Sequence, residues 1–319
     1  MMRTKSILIA AWSLLLLLGA CTGGRQVPLP TRPFPEVQFP AMLPQEEAAD
    51  YALDHFWEAY LDTTARYLCD STHIGGVDER SVATQLATYL SILENMPADG
   101  SVRRMGAFFD QLERYQAADT ASNVFSWMAD AVDHYLFDPN SEIRSEELYR
   151  PFVEKLTVSP FAKESMRARY AYAAMVCGTH RIGTPASDFR FFDARGREHT
   201  LYGERAPLTI LLFVNPGCHA CEETVEAFGS ERILTLAAAG KLRIISIYID
   251  EDLDDWRAKA ASMPAHWLNG YDPDGLIRSD QLYFVRAIPS VYLLDTDKRI
   301  LMKDAVPGQV AAYVENCEL

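Results

Sequence analysis

The run Leu208-Thr209-Ile210-Leu211-Leu212-Phe213-Val214, followed by Asn215-Pro216-Gly217-Cys218-His219-Ala220-Cys221, decides how this chain folds. The first seven residues are almost wholly apolar, as in a strand buried on both faces. A helical stretch over 221–239 follows, then a strand at 242–249 and a helix near 253–263. Residues 290–294 and 299–302 read as a hairpin around Asp297-Lys298, and a last helix covers 308–315. The order β–α–β–α–β–β–α calls for a central mixed sheet flanked by helices, with a right-handed crossover between the first two strands.

Upstream the pattern changes. Over residues 45–180 apolar side chains recur every three or four positions and β-branched runs are few, which predicts an all-α helical domain. Its helices are expected at 46–68, around 82–93 (stopped by Pro97 and Gly100), at 102–115, at 124–135 (ended before Pro139), at 146–156 and at 164–176. His55, His73 and His134 are scattered through it and form no catalytic constellation. Cys69 and Cys177 fall near the ends of its first and last helices, where they could meet as a structural disulfide or stay as single buried thiols.

Residues 1–20 read as a secretion signal: Arg3 and Lys5, an apolar stretch over 7–18, then Gly19-Ala20. The run is too short for a confident spanning helix. Leu18-Gly19-Ala20-Cys21 resembles a bacterial lipobox, which predicts cleavage before Cys21 and lipid on its sulfur. Residues 21–44 carry Gly23, Gly24, Pro28, Pro30, Pro33, Pro35, Pro40 and Pro44 and read as an extended tether. The address expected is the bacterial cell envelope, with the chain lipid-anchored on the periplasmic side, in the outer membrane. No acidic run follows Cys21, and in a Bacteroidota-type lipoprotein that favours the periplasmic face over export.

Charge narrows the function further. The 319 residues hold 30 Lys and Arg against 44 Asp and Glu, a net charge of −14, which repels polyphosphate and argues against nucleic-acid binding. The 49% hydrophobic composition is that of a globular protein. No nucleotide loop, flavin motif or metal cluster is present, so no cofactor and no metal are expected.

Chemistry concentrates at Cys218-His219-Ala220-Cys221. A Cys-x-x-Cys that follows a strand and opens a helix sits in a redox context. The first cysteine lies at the helix N-terminus, where unpaired N–H groups and the helix dipole favour its thiolate. Cys218 is therefore expected to attack and the more buried Cys221 to resolve the mixed disulfide, with His219, when protonated, tuning the thiolate. A zinc knuckle lacks its other ligands. A copper(I) site and a purely structural disulfide remain as competing readings.

These residues carry a resemblance. Gly183-Thr184-Pro185-Ala186-Ser187-Asp188-Phe189, the active-site strand and loop, and Ile288-Pro289-Ser290-Val291-Tyr292-Leu293-Leu294-Asp295 make residues 183–319 resemble the thioredoxin superfamily, in its TlpA/ResA-like, AhpC/TSA-related periplasmic branch. The whole chain resembles Bacteroidota lipoproteins that place a helical domain of unknown function before such a module. The resemblance implies a thioredoxin-like α/β fold and a cis Pro289 beside Cys218. It implies that the Ile288 backbone pairs with an extended substrate, and we add Trp267 as a candidate substrate contact. Expected partners are client proteins with disulfides, a membrane or periplasmic electron donor, and the membrane through the lipid. Three departures stand out: Gly217 where many relatives have Trp, His219-Ala220 in place of x-Pro, and Leu212 where thioredoxin has a buried acid. Glu222 and Glu223 are then the nearby candidates for accepting the Cys221 proton.

Two rivals to a thiol:disulfide oxidoreductase follow from the same residues. A thiol peroxidase of the AhpC/TSA type needs Thr three residues before its cysteine, and Asn215 stands there. A non-enzymatic lipoprotein would use the helical domain to bind a partner.

Overall fold

The computed structural model describes residues 28–215 and 217–318. The expected signal, the expected lipidation site at Cys21, the first residues of the expected tether and Pro216 lie outside the described residues.

The N-terminal half is built on α1 (Ala48–Asp54), a small hairpin of β1 (His73–Ile74) and β2 (Val77–Asp78), then α2 (Glu79–Glu94), α3 (Ala98–Ala118), α4 (Val124–Phe137), α5 (Glu146–Val158) and α6 (Arg167–Gly178). Its core is aromatic: Trp57 stacks on Phe108 at 4.7 Å, and Phe34 on Tyr60 at 5.1 Å between ring centroids. Asp78 and Ser145 cap α2 and α5 by accepting from the backbone N–H of Ser81 and Leu148.

Three sequence expectations change here. The helix expected over 46–68 ends at Asp54, because the chain beyond it bonds elsewhere. The carbonyls of Ala59 and Tyr60 accept from the Arg32 guanidinium at 3.2 and 2.6 Å, and Asp62 turns the chain by accepting from Thr64 N–H. The tether is docked rather than free at Pro30 and Arg32. Leu68 N–H donates to Pro30 at 3.0 Å, Arg32 N–H donates to Gly76 at 2.8 Å, and the Arg32 guanidinium lies 3.8 Å over the Tyr67 ring. An extended, proline-rich strand leaves its backbone groups free for such bonds. The all-α reading also gains the β1–β2 hairpin, whose Gly76 (φ +82°) has its missing Cβ position only 2.5 Å from the Tyr67 side chain.

The C-terminal half holds β3 (Arg190–Asp193), β4 (Glu198–Thr200), β5 (Leu208–Val214), α7 (His219–Ala227), α8 (Glu231–Ala238), β6 (Leu242–Tyr248), α9 (Leu253–Lys259), β7 (Leu268–Tyr271), α10 (Leu276–Ser279), β8 (Ser290–Leu294), β9 (Ile300–Met302) and α11 (Pro307–Asn316). The sheet order is β4-β3-β7-β6-β5-β8-β9. β5, β6 and β7 run parallel, while β8 is antiparallel to β5. All seven residues of β5 are buried. Ile210, Leu212 and Val214 pack under α7, α8 and α11, and Leu211 and Phe213 face the opposite layer with Tyr283 and Tyr292. Strand β7 was not expected; it is short and its Gly270 hides the alternation.

One register fact positions everything that follows. Phe213 near the end of β5 pairs with Ser290 at the start of β8. The loop leaving β5 and the residues entering β8 therefore share one edge of the sheet.

The halves meet through buried ions. Glu146 of α5 lies 2.6 Å from Lys303 and 3.1 Å from Arg286, and Arg286 lies 2.6 Å from Asp304, with all four side chains no more than 8% exposed. Arg286 also donates to the Phe137 carbonyl, and Lys303 to those of Val176 and Thr179. Cys69 and Cys177 do not meet: Cys69 lies 3.8 Å from Ser122 Oγ, Cys177 is buried in α6 near Glu146, and both thiols are free.

Candidate active site

Gly217 prepares the turn into α7 with φ +87°. A Cβ at that position would stand 3.2 Å from Lys259 Nζ, so a side chain there meets both backbone strain and the lysine stem. This accounts locally for glycine at a place where the resemblance has tryptophan.

Cys218 is the N-cap of α7, with extended backbone. Its N–H donates to the Asn215 carbonyl at 3.2 Å, and its own carbonyl accepts from Cys221 and Glu222 at 3.0 and 3.1 Å. The sulfur is thus held at the positive end of the helix while the side chain stays partly exposed. Cys221 lies one turn inside, 3% exposed, in the core with Phe228, Ile233 and Trp267. Burial pushes its thiol well up, the neighbouring Cys218 adds to that, and a hydrogen bond from the Asn215 backbone N–H opposes both. The two sulfurs are chemically unequal: one is accessible at a helix start, the other desolvated behind it.

Residues from the β8 side complete the edge. The Ile288–Pro289 peptide is cis, and Ile288 packs on the same apolar cluster as Cys218.

Other sequence candidates sit elsewhere than expected. The His219 ring is 86% exposed and turns to Glu222 and Glu223 at 3.9 and 3.5 Å, so it points into solvent with those carboxylates. Trp267 is 5% exposed and packs on Phe228 with ring centroids 6.3 Å apart. It packs in the core behind Cys221. Sequence reasoning did not single out Lys259, which Asp255 holds at 2.9 Å. It weighed Asn215 only against a peroxidase threonine, and the side chain donates to Asp250 at 3.0 Å. Only the fold brings both residues to the Cys218 turn.

The described residues contain no helix long and apolar enough to cross a membrane. A domain of unknown function, DUF5106, matches residues 15–177. No curated protein matches the chain. Among solved structures, a thioredoxin-like protein from Bacteroides caccae is 33% identical, covers 88% of this chain and 97% of its own, and superposes with a TM-score of 0.75. The C-terminal domain of an uncharacterized protein from Bacteroides fragilis is 43% identical over 42% of this chain and 97% of its own, with a TM-score of 0.41. A thiol:disulfide interchange protein from Bacteroides sp. is 18% identical over 42% of this chain and 88% of its own, with a TM-score of 0.37.

Proposed function

We propose that this chain, which belongs to the DUF5106 family and ends in a thioredoxin-like domain, is a thiol:disulfide oxidoreductase acting through Cys218 and Cys221. The observation that carries this is the inequality of the two sulfurs across one helical turn. The Cys218 thiolate attacks a client disulfide; a Cys218–client S–S bond forms and the other client sulfur leaves as thiolate. Cys221, once deprotonated, attacks the Cys218 sulfur. The Cys218–Cys221 bond forms, the second client sulfur leaves, and two electrons have passed to the client. An external dithiol donor must then reduce the pair. Run in reverse, the same steps oxidise a client.

In this reading the chain is tethered at Cys21 on the periplasmic side of the envelope by two or more acyl chains. With Pro30 and Arg32 docked on the folded body, the linking stretch spans at most about 30 Å. The domain therefore meets clients and its electron donor close to the membrane.

Equilibration of the purified chain in glutathione buffers, with thiol trapping and mass mapping of Cys218 and Cys221, tests the reading. A potential near about −270 mV identifies a reductase fed by an electron donor; one near about −120 mV identifies an oxidant of secreted clients. Failure to form the Cys218–Cys221 bond reversibly sinks the redox reading.

A further inference from the structure

Beside the thiol site lies a cleft of about 400 Å³ that neither half forms alone. One wall is a single face of α7, Ala220, Glu223, Thr224 and Ala227, which follow the helical spacing of three and four. Ile288 and Pro289 stand at its edge, and the opposite wall is Pro139, Asn140 and Arg144 from the loop between α4 and α5. The cleft starts two residues beyond Cys218 and runs seven residues along the helix, about 10 Å, which accommodates about three residues of extended chain.

Behind this wall Arg286 and Lys303 are buried with two ion-pairing carboxylates, Glu146 and Asp304. Arg144 instead donates to three backbone carbonyls: Asp304 at 2.9 Å, Ala305 at 3.2 Å and Ser141 at 3.3 Å. Among the described residues it has no carboxylate within ion-pair distance. Glu94 and the Asp304 carboxylate act on it only at longer range, and Arg286 adds like charge. Glu223 across the cleft is 65% exposed and turned to His219. A guanidinium has five N–H donors, so Arg144 keeps two for a ligand while its plane is fixed. In a chain of net charge −14, a fixed cation with no ion-pair partner among the described residues, beside the proposed thiol site, is a specific recognition element.

We propose that the α4–α5 loop is one wall of the client-binding cleft, and that Arg144 selects clients whose extended segment carries a carboxylate next to its cysteine. This rests on the thiol–disulfide reading above and gives the helical domain a role in choosing the substrate.

The test uses the purified full chain with Cys218 and Cys221 reduced, and two synthetic cysteine peptides, each presented as a mixed disulfide with the uncharged 2-thiopyridine, whose release is followed by absorbance. One peptide has Asp and Glu flanking its cysteine; the other has Asn and Gln at the same places. The wild-type chain is expected to favour the acidic peptide in the single-turnover second-order rate constant by about tenfold, the worth of a charge-assisted hydrogen bond. Arg144→Gln brings that ratio to about one, and Arg144→Lys keeps part of it. A wild-type ratio of one overturns the proposal. So does Arg144→Gln slowing both peptides equally, since Arg144 would then only support the fold. Bis(2-hydroxyethyl) disulfide separates the two levels: if the wild-type chain fails to reduce it, the thiol–disulfide reading itself has failed, before any comparison at Arg144.

Discussion

The two halves of this molecule place their important residues by different physics. In the sheet half, backbone pairing does it: Phe213 opposite Ser290 fixes the loop holding Cys218 against the residues at Ile288 and Pro289, although some seventy positions separate them. In the helical half, side chains do it: Trp57, Phe108, Tyr60 and Phe34 pack as rings, and Arg32 collects the carbonyls that a longer helix would have used. A ladder is specific in register, since a slip of one residue reverses every side chain. An aromatic cluster is specific only in volume. Reactive groups therefore sit on the sheet edge, and the helical half contributes where it touches that edge.

The largest effect that separates the halves should come from Cys218→Ser. Disulfide exchange should fall by at least about a thousandfold, while urea unfolding shifts by less than about 1 kcal/mol because the side chain is partly exposed. A loss of stability comparable with a core deletion would show that the turn at Gly217 depends on the sulfur, and the division would fail. The next effect is at the junction. Arg286→Met leaves Glu146 and Asp304 buried without their shared cation, which costs about 3–5 kcal/mol. Calorimetry should then resolve two transitions, where the wild type is expected to show one. A single unshifted transition would mean that the halves are held together by something other than these ions.

The same contrast explains what the sequence revealed. Strand β5 and its Cys-x-x-Cys were legible because a doubly buried strand and a helix start leave local marks: six apolar residues around Thr209, then Asn-Pro-Gly-Cys. The helices over 79–178 were legible from their period, within a few residues of their ends. Residues 55–78 were not, because Arg32, far away in sequence, holds the chain there by taking the carbonyls of Ala59 and Tyr60. Trp267 illustrates the limit at the site. An aromatic near a reactive cysteine reads equally as wall or as core, and only burial decides it. Arg144 left no mark at all, since its meaning arises where the halves touch, with its guanidinium held by the Asp304 and Ala305 carbonyls far away in sequence.

The smallest predicted effect lies at the joint itself and depends on pH. His180 follows α6, stacks on Tyr283 at 4.6 Å between ring centroids, and shares a hydrogen bond with Ser187 Oγ at 2.8 Å. Burial and then the nearby Lys303 lower its pKa to about 4. The folded chain therefore holds this imidazole neutral while the unfolded chain protonates it near its ordinary value of about 6.5. Because the unfolded state binds the extra proton, stability is complete above about pH 6.5 and drains away as pH falls towards 4, by up to about 3 kcal/mol. His180→Asn suits the residue's left-handed backbone (φ +51°) and removes the titration. Urea midpoints of the two chains should converge as pH drops from 6.5 to 4.5, since only the wild type loses this contribution. Parallel curves would mean that the ring is protonated in the folded chain. The joint between sheet and helices would then be open to water, and the halves less tightly coupled than their buried ions imply.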